Sequence, residues 1–474
     1  MKPFYGDEAP IAAIASAPGK SALALIRCSG TGAIELVSSV FSQSEKLKNA
    51  AGNSVIHGWI NRNNEKIDEV LVSVFRSPKS YTGEDCLDIS CHGGYSTVHI
   101  LTEILKAAGF RDALPGEFTF RAFMNGKLDL TRSESVMELV SAQTDAGRSR
   151  AVKRLSGLLF DEINSIKKIL LEALASAEIF LDYSEDEISA DTDEKAGMLP
   201  GQEQVHKALE KLKKLSATWN RERIYQEGIS AVIAGQPNSG KSSLFNLLIK
   251  EERSIVTEIP GTTRDWIEAW VSFDGIPVRL ADTAGLRESG DPVEKLGVER
   301  TRELLDEADL ILYLIDGSAG MREADRVFIE YNSRRTDRDA GKRSKPLITI
   351  WNKADIAPLP GKLSDNTIIS VSAKTGEGIA ELSRVITAYV RTDAEEGAED
   401  SLKSAALGSI RQKNRVDAAS GALEEALVLA GRGEPLELTA RLLREAVNAL
   451  GEITGEICTA DILEEMFSRF CVGK

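Results

Sequence analysis

Gly235-Gln-Pro-Asn-Ser-Gly240-Lys241-Ser242 stands between an apolar stretch, residues 229–234, and a helical one, residues 243–250. That order decides the fold. GxxxxGK[ST] between a strand and a helix is a phosphate-binding loop: its glycines let backbone N–H groups approach phosphate at a helix N-terminus, Lys241 reaches the β and γ oxygens, and Ser242 offers a hydroxyl to Mg2+. Apolar strands follow at 278–281, 310–315, 347–351 and 368–371, separated by helical or polar segments. The expected unit is therefore an α/β P-loop domain.

Working outward, Asn352-Lys353-Ala354-Asp355 closes the 347–351 strand. A carboxylate there accepts from both guanine N–H groups, a donor pair that adenine lacks. Ser372-Ala373-Lys374, after 368–371, supplies a second wall, and the three motifs together specify GTP. Asp282-Thr283-Ala284-Gly285 follows the 278–281 strand. Asp282 is expected to hold Mg2+ through water and the Gly285 N–H to sense the γ-phosphate, with Thr263 of Gly261-Thr262-Thr263-Arg264-Asp265 as a second Mg2+ ligand. Small regulatory GTPases usually carry a water-orienting Gln after the glycine. Leu286 stands there instead and does no acid–base work, so something else must position water.

The rest of the chain must be built around this unit. Its 474 residues suggest about three domains, and 42% apolar residues can fill their cores. The balance of 58 bases against 73 acids gives −15 and a pI near 5.1, so the chain as a whole is not a basic nucleic-acid glove, and any RNA contact is local or borrowed from a partner. One local candidate is 334–345, with six bases against two acids; a solvated loop is the plainer reading. No apolar run approaches the roughly 18 residues of a membrane-spanning helix. A signal peptide at 11–17 has only Lys2 ahead of it, with Asp7 and Glu8 intervening, so a short buried strand is expected there. Five cysteines without a CxxC pair argue for a reducing compartment, the cytoplasm. Cys86, Cys91 and His92 fit no common zinc spacing, while Leu87, Ile89 and Cys91 alternate as one face of a strand.

Residues 11–123 mix short strands with one helical pattern at 98–108 and read as an α+β domain, 1–123. From 124 to 183 the pattern is helical, Leu155, Leu158, Leu159, Ile163, Ile166, Ile169, Leu170 and Leu174 recurring at three- and four-residue steps. An acidic stretch, 182–194, reads as a solvated bend before a helix at 203–219. After a second acidic linker, 393–400, helical periodicity returns at 402–430 and 436–450. The expected architecture is one all-α domain split into 124–224 and 389–474, with the GTPase domain, 225–388, inserted.

Ser80-Tyr-Thr-Gly-Glu-Asp85, Cys91-His-Gly-Gly94, Pro115-Gly-Glu-Phe-Thr119, Arg121-Ala-Phe-Met-Asn-Gly-Lys-Leu-Asp-Leu130, the GTPase motifs and Phe470-Cys-Val-Gly-Lys474 together resemble the MnmE (TrmE) family of tRNA modification GTPases. The resemblance covers essentially the whole chain. It implies a folate-binding N-terminal domain that also forms a homodimer, and work with the flavoprotein MnmG on the wobble uridine of certain tRNAs, installing an aminomethyl-type group at C5. It places 5-formyltetrahydrofolate on Arg27, Glu84, Lys127 and Lys474, and potassium on Asn238, Thr257, Ile259 and Thr262. It places nucleotide contacts on Asn238, Ser239, Gly240, Lys241, Ser242, Ser243, Thr257, Glu258, Ile259, Pro260, Gly261, Thr262, Thr263, Asp282, Thr283, Ala284, Gly285, Asn352, Lys353, Asp355, Ser372, Ala373 and Lys374, and water orientation on Glu294. From residue types alone, Arg27, Lys127 and Lys474 complement carboxylates and Glu84 suits pterin N–H groups, whereas surface salt bridges are the plainer reading. Cys471 matches a cysteine near the family's end, with a reactive and a structural role both open. The chain departs from the family at Lys20-Ser-Ala-Leu-Ala-Leu25, usually glycine-rich, and at Val472, usually Ile. Two rivals stand beside this reading: a GTPase switch in ribosome assembly that modifies nothing, and a folate scaffold with a decayed GTPase, against which the intact motifs speak.

Overall fold

The computed structural model describes residues 9–182, 199–251, 267–282, 305–335, 346–361, 368–392 and 404–474. The chain divides into two compact units, one of residues 1–140, 153–216 and 410–474, the other of 141–152 and 217–409.

The first unit begins with β1 (Ile11–Ile14), β2 (Leu23–Ser29), α1 (Ala33–Val40), α2 (Ser44–Lys48), β3 (Ser54–Arg62), β4 (Glu65–Phe75), β5 (Cys86–His92), α3 (Tyr95–Ala108), β6 (Arg111–Asp112) and α4 (Glu117–Met124). The strands form one sheet in the order β3-β4-β5-β2-β1-β6, antiparallel except between β1 and β6. Because side chains alternate along a strand, Ala24, Ile26 and Cys28 share a face with Val70, Val72, Val74, Leu87, Ile89 and Cys91, and pack with Ile34, Val37, Leu101 and Leu105 of α1 and α3. The apolar residues at 11–14 are thus a strand, as expected. The opposite face carries Arg27, Asp88 and Leu71. Phe118 of α4 covers it at Ile11 and Ala13, whereas Leu23 (64% exposed), Val55 (62%) and Leu71 (47%) lie open.

The helical run expected over 124–183 is broken into α4, α5 (Leu130–Ser141), α6 (Asp145–Leu155) and α7 (Leu158–Asp182). Local chemistry makes the breaks. Asp129 accepts from the N–H groups of Thr131 (2.9 Å) and Arg132 (3.1 Å), starting α5 afresh. Gly157, at φ +105°, lies between α6 and α7, and a Cβ there would stand 2.2 Å from the Arg132 guanidinium. On α7, Leu159, Ile163, Ile166, Leu170, Ala173 and Ala177 form the buried stripe. The helix expected at 203–219 is α8 (Gln202–Ala217), and the chain turns at Thr218.

The second unit follows: α9 (Trp219–Glu227), β7 (Ile229–Gly235), α10 (Lys241–Glu251), β8 (Ile267–Phe273), β9 (Ile276–Asp282), β10 (Leu310–Asp316), α11 (Glu323–Arg335), β11 (Leu347–Asn352), β12 (Ile368–Ser370) and α12 (Ile379–Thr392). The sheet order is β12-β11-β10-β7-β9-β8, parallel except for β8. Residues 310–315 are all buried, as befits a parallel strand covered on both faces. The sequence reading lacked β8. It pairs with β9 across Asp274-Gly275, both at positive φ (51° and 82°), the turn that a two-residue hairpin requires. Residues 141–152 group with this unit: Ala146 packs against Gly275, and the Arg150 guanidinium lies 3.5 Å from the Tyr225 ring centre while bonding Glu222 (3.2 Å).

The chain returns to the first unit with α13 (Ile410–Gly431), α14 (Leu436–Thr454) and α15 (Ala460–Ser468). α13 starts later than the expected 402. α14 packs against both α13 and α7, so helices from either side of the insertion share one core. Phe467 and Phe470, around α15, pack with Leu130, Phe120 and Phe123. The fold is an α+β N-terminal domain, an all-α domain and an inserted α/β P-loop GTPase domain. Among the described residues no helix is long and apolar enough to cross a membrane.

Candidate functional site

β7 lies between β10 and β9, the point where strand order reverses and where open α/β sheets bind ligands at their carboxyl ends. The loop leaving β7 is held by close packing. Gly235 has φ +148°, and a Cβ there would approach the Leu314 carbonyl oxygen to 2.4 Å. Asn238 (φ +64°) and Gly240 (φ +96°) complete a turn that opens α10 at Lys241, so the first N–H groups of that helix lie at the loop. Lys241, 8% exposed, donates from Nζ to the carbonyls of Gly235 (3.2 Å) and Gln236 (3.1 Å). Ser239 is buried, and Ser242 and Ser243 are exposed on the first turn. Asp282 ends β9 in register with Ile233 of β7.

A second loop is built on β11. Asn352, 2% exposed, donates from Nδ2 to the Ser239 carbonyl (2.7 Å) and accepts at Oδ1 from the Ala373 N–H (3.0 Å). One amide therefore ties the phosphate loop to the Ser372–Lys374 loop. A Cβ on Gly240 would stand 2.2 Å from that Nδ2, so the position has room only for glycine. Lys353, at φ +65°, donates to Asp316 at the end of β10 (2.7 Å). Burial opposes ionisation of Asp316, but the bonds from Lys353 and Ser318 outweigh it and hold its carboxyl below the usual range. Asp355 is exposed, and its Oδ1 accepts from the Ser372 hydroxyl (2.7 Å). Lys374 is exposed beside them. The arrangement offers a planar base one fixed carboxylate and a wall of backbone.

Thr257, Glu258, Ile259, Pro260, Gly261, Thr262, Thr263, Thr283, Ala284, Gly285, Leu286 and Glu294 lie outside the described residues, as does most of 334–345.

In the first unit the structure brings Arg27 and Lys474 together, and ties Glu84 to the same strand, β2, through Ser29. Arg27 on β2 pairs with Asp88 on β5 (3.0 and 3.3 Å), lies 5.7 Å from the Tyr81 ring centre and donates to the Gly473 carbonyl (3.5 Å). Burial lowers the Lys474 ammonium's pKa, Arg27 lowers it further, and Asp88 opposes both. Glu84 accepts from Ser29 (2.7 Å) and from Arg121 at both oxygens (3.2 and 3.1 Å). Lys127 donates to the Pro78 carbonyl (2.9 Å), packed against Gly83 on the same 78–85 loop. Asp316, Asp88 and Arg121 are the residues that sequence reasoning missed. Arg121 stood inside a quoted motif, whereas the other two carry no local signal.

The cysteines follow the strand reading. Cys28 and Cys91 belong to the helix-covered core, where burial pushes the Cys91 thiol up to about 11. His92 instead bonds Asp68 (2.6 Å), and no group of three potential metal ligands converges among the described residues.

Comparison with known proteins bears on the whole chain. A family model for the MnmE helical domain matches residues 130–471, and one for the GTP-binding protein TrmE N-terminus matches 10–127. The tRNA modification GTPase MnmE of Treponema denticola is 44% identical, covering 98% of both chains. That of Carboxydothermus hydrogenoformans is 40% identical over 98% of this chain and 100% of its own. Among solved structures, the G domain of the T. maritima FeoB iron transporter is 25% identical over 34% of this chain and 98% of its own, with a TM-score of 0.26. By the span of the family match and the identity to full-length relatives, the chain belongs to the MnmE family of tRNA modification GTPases.

Proposed function

We propose that this chain hydrolyses GTP so as to add, with a flavoprotein partner of the MnmG kind, a carboxymethylaminomethyl-type group to C5 of the wobble uridine of certain tRNAs. The observation that carries the reading is the Asn352 bridge between the phosphate and base loops, in a chain similar to tRNA modification GTPases along its length. Lys241 releases the loop carbonyls and turns to the β and γ phosphates, α10 presents its first N–H groups, and Asp355, held by Ser372, accepts from guanine. Mg2+ suits the hard oxygen donors on hand: the Ser242 hydroxyl on the first turn of α10 and Asp282 at the end of the neighbouring β9, joined in this proposal by Thr263. When bound, it neutralises charge on the phosphates.

The remaining roles rest on family membership. Potassium takes Asn238, Thr257, Ile259 and Thr262, and Asn238 contributes an uncharged oxygen beside the phosphate loop. Glu294 orients the attacking water, a task Leu286 cannot perform. A reduced folate, 5-formyltetrahydrofolate, takes Arg27, Glu84, Lys127 and Lys474; the paired cations at Arg27 and Lys474 suit its carboxylates and the Glu84 carboxylate its pterin donors. The open sheet face at Leu23, Val55 and Leu71 supports homodimerisation through the N-terminal domain. Five cysteines without a disulfide accord with the cytoplasm.

Mass analysis of tRNA nucleosides from cells lacking the gene tests the central claim. Loss of the modified wobble uridine is expected, and normal uridines would overturn it. Hydrolysis should be fast in potassium and slow in sodium, and Glu294→Ala should abolish turnover while sparing GTP affinity. Equal rates in the two salts, or normal turnover of the variant, would remove those roles.

A further inference from the structure

α4 carries two ionisable groups with no part in the roles assigned so far. Glu117 is fully buried and the Arg121 side chain is 8% exposed. Arg111 donates to both Glu117 oxygens (2.8 and 2.5 Å), and Arg121 donates from Nη2 to Glu117 Oε1 (2.9 Å) and to the Ala9 carbonyl (2.9 Å). Its other terminal nitrogen, Nη1, spans both oxygens of Glu84 (3.2 and 3.1 Å). Ser29 donates to Glu84 Oε2 from the sheet side (2.7 Å), and Ser29 is itself fixed by Thr82 (2.8 Å). The Glu84 side chain stays 24% exposed, and with three of a carboxylate's roughly four acceptor sites taken it keeps one, on Oε1.

This is more than Glu84 needs to remain in place. A surface glutamate without partners samples several rotamers, and a ligand that bonds it must freeze them. Here a guanidinium locked by Glu117 and by backbone sets the plane of the carboxylate beforehand. Direction is the point, because an N–H donor of an aminopyrimidine-type ring must meet the remaining Oε1 lone pair nearly in line.

Resting on the reduced-folate reading above, we propose that Arg121 is a positioning residue: through the Arg111–Glu117–Arg121 relay it pre-sets the Glu84 carboxylate to receive an N–H donor of the pterin ring at Oε1. Toward the folate Arg121 acts through Glu84, and this gives it a signature that a merely structural residue lacks.

The test is a double-mutant cycle on the full chain, titrating 5-formyltetrahydrofolate by calorimetry into wild type, Arg121→Met, Glu84→Gln and the double variant, with Arg121→Lys as the conservative change. Arg121→Met is expected to weaken binding about tenfold, adding nothing further in the Glu84→Gln background, and Arg121→Lys to recover part of the loss. Wild-type affinity in Arg121→Met, or losses that multiply in the double variant, would overturn the positioning role while leaving the folate reading intact. No binding to wild type would remove both. If Arg121→Met does not fold, Ser29→Ala, which withdraws the opposite support, is expected to show the same non-additivity with Glu84→Gln, and full additivity would overturn the proposal.

Discussion

The nucleotide loops and the surroundings of Arg27 and Glu84 are built by opposite means. The first is made of backbone: four residues at positive φ, a helix N-terminus and two loops joined by a single amide. The second is made of side chains drawn from β2, β5, the 78–85 loop, α4 and the end of the chain, held by ion pairs. A backbone site fails when a side chain is added. A side-chain site fails when one is removed.

The comparison breaks first at Gly240. A methyl group there meets Asn352 Nδ2 at 2.2 Å in a left-handed backbone, so Gly240→Ala should reduce GTP affinity at least a hundredfold by fluorescent-nucleotide titration, with 5-formyltetrahydrofolate binding unchanged. Next comes Asp355→Asn, which leaves guanine donors unpaired at a cost of about 1–3 kcal/mol. It should lower GTP affinity roughly ten- to a hundredfold and improve xanthosine triphosphate in competition binding; unchanged discrimination would show that Asp355 does not read the base. Arg27→Ala should weaken 5-formyltetrahydrofolate about tenfold without altering GTP turnover, and a change in turnover instead would mean that the two sites are not separable in this way.

The smallest expected effect is pH-dependent. Burial works against ionisation of Glu117, but its bonds from Arg111, the Leu114 N–H and Arg121 prevail and hold its carboxyl below the ordinary value. A carboxyl lowered on folding contributes stability that is present above its unfolded value, near 4.5, and is lost as pH falls through the folded one. Urea unfolding at pH 7 and pH 4 should show wild type losing stability on acidification and Glu117→Gln, though weaker at pH 7, losing less.

The same contrast explains what could be read before the structure. A backbone site is written in contiguous letters, because glycines, the lysine and the helix start must follow one another. Gly235–Ser242, Asn352–Asp355 and Ser372–Lys374 were all legible, together with most strands of the second sheet. β8 lies outside that reading although Asp274-Gly275 marks its turn, because its buried Ala269, Val271 and Phe273 alternate with Glu268, Trp270 and Ser272. The breaks at Asp129 and Gly157 were hidden because apolar periodicity continues across them. Asp88 and Asp316 could not be found at all from spacing: each is defined by a partner elsewhere in the sheet or its loops, 61 residues away for Arg27 and 37 for Lys353.

The Asn352 amide has one consequence for energetics. Since the same side chain braces the loop that grips phosphate and the loop that flanks the base, the free energies of the two recognitions cannot be independent. A nucleoside lacking phosphates meets a base pocket whose stiffness is supplied from the phosphate side, and inorganic phosphate meets a cradle tethered to a pocket with nothing in it. Binding of the intact nucleotide then exceeds the product of its fragments by more than their covalent link accounts for, and Asn352→Ala should bring the whole back toward the sum of its parts.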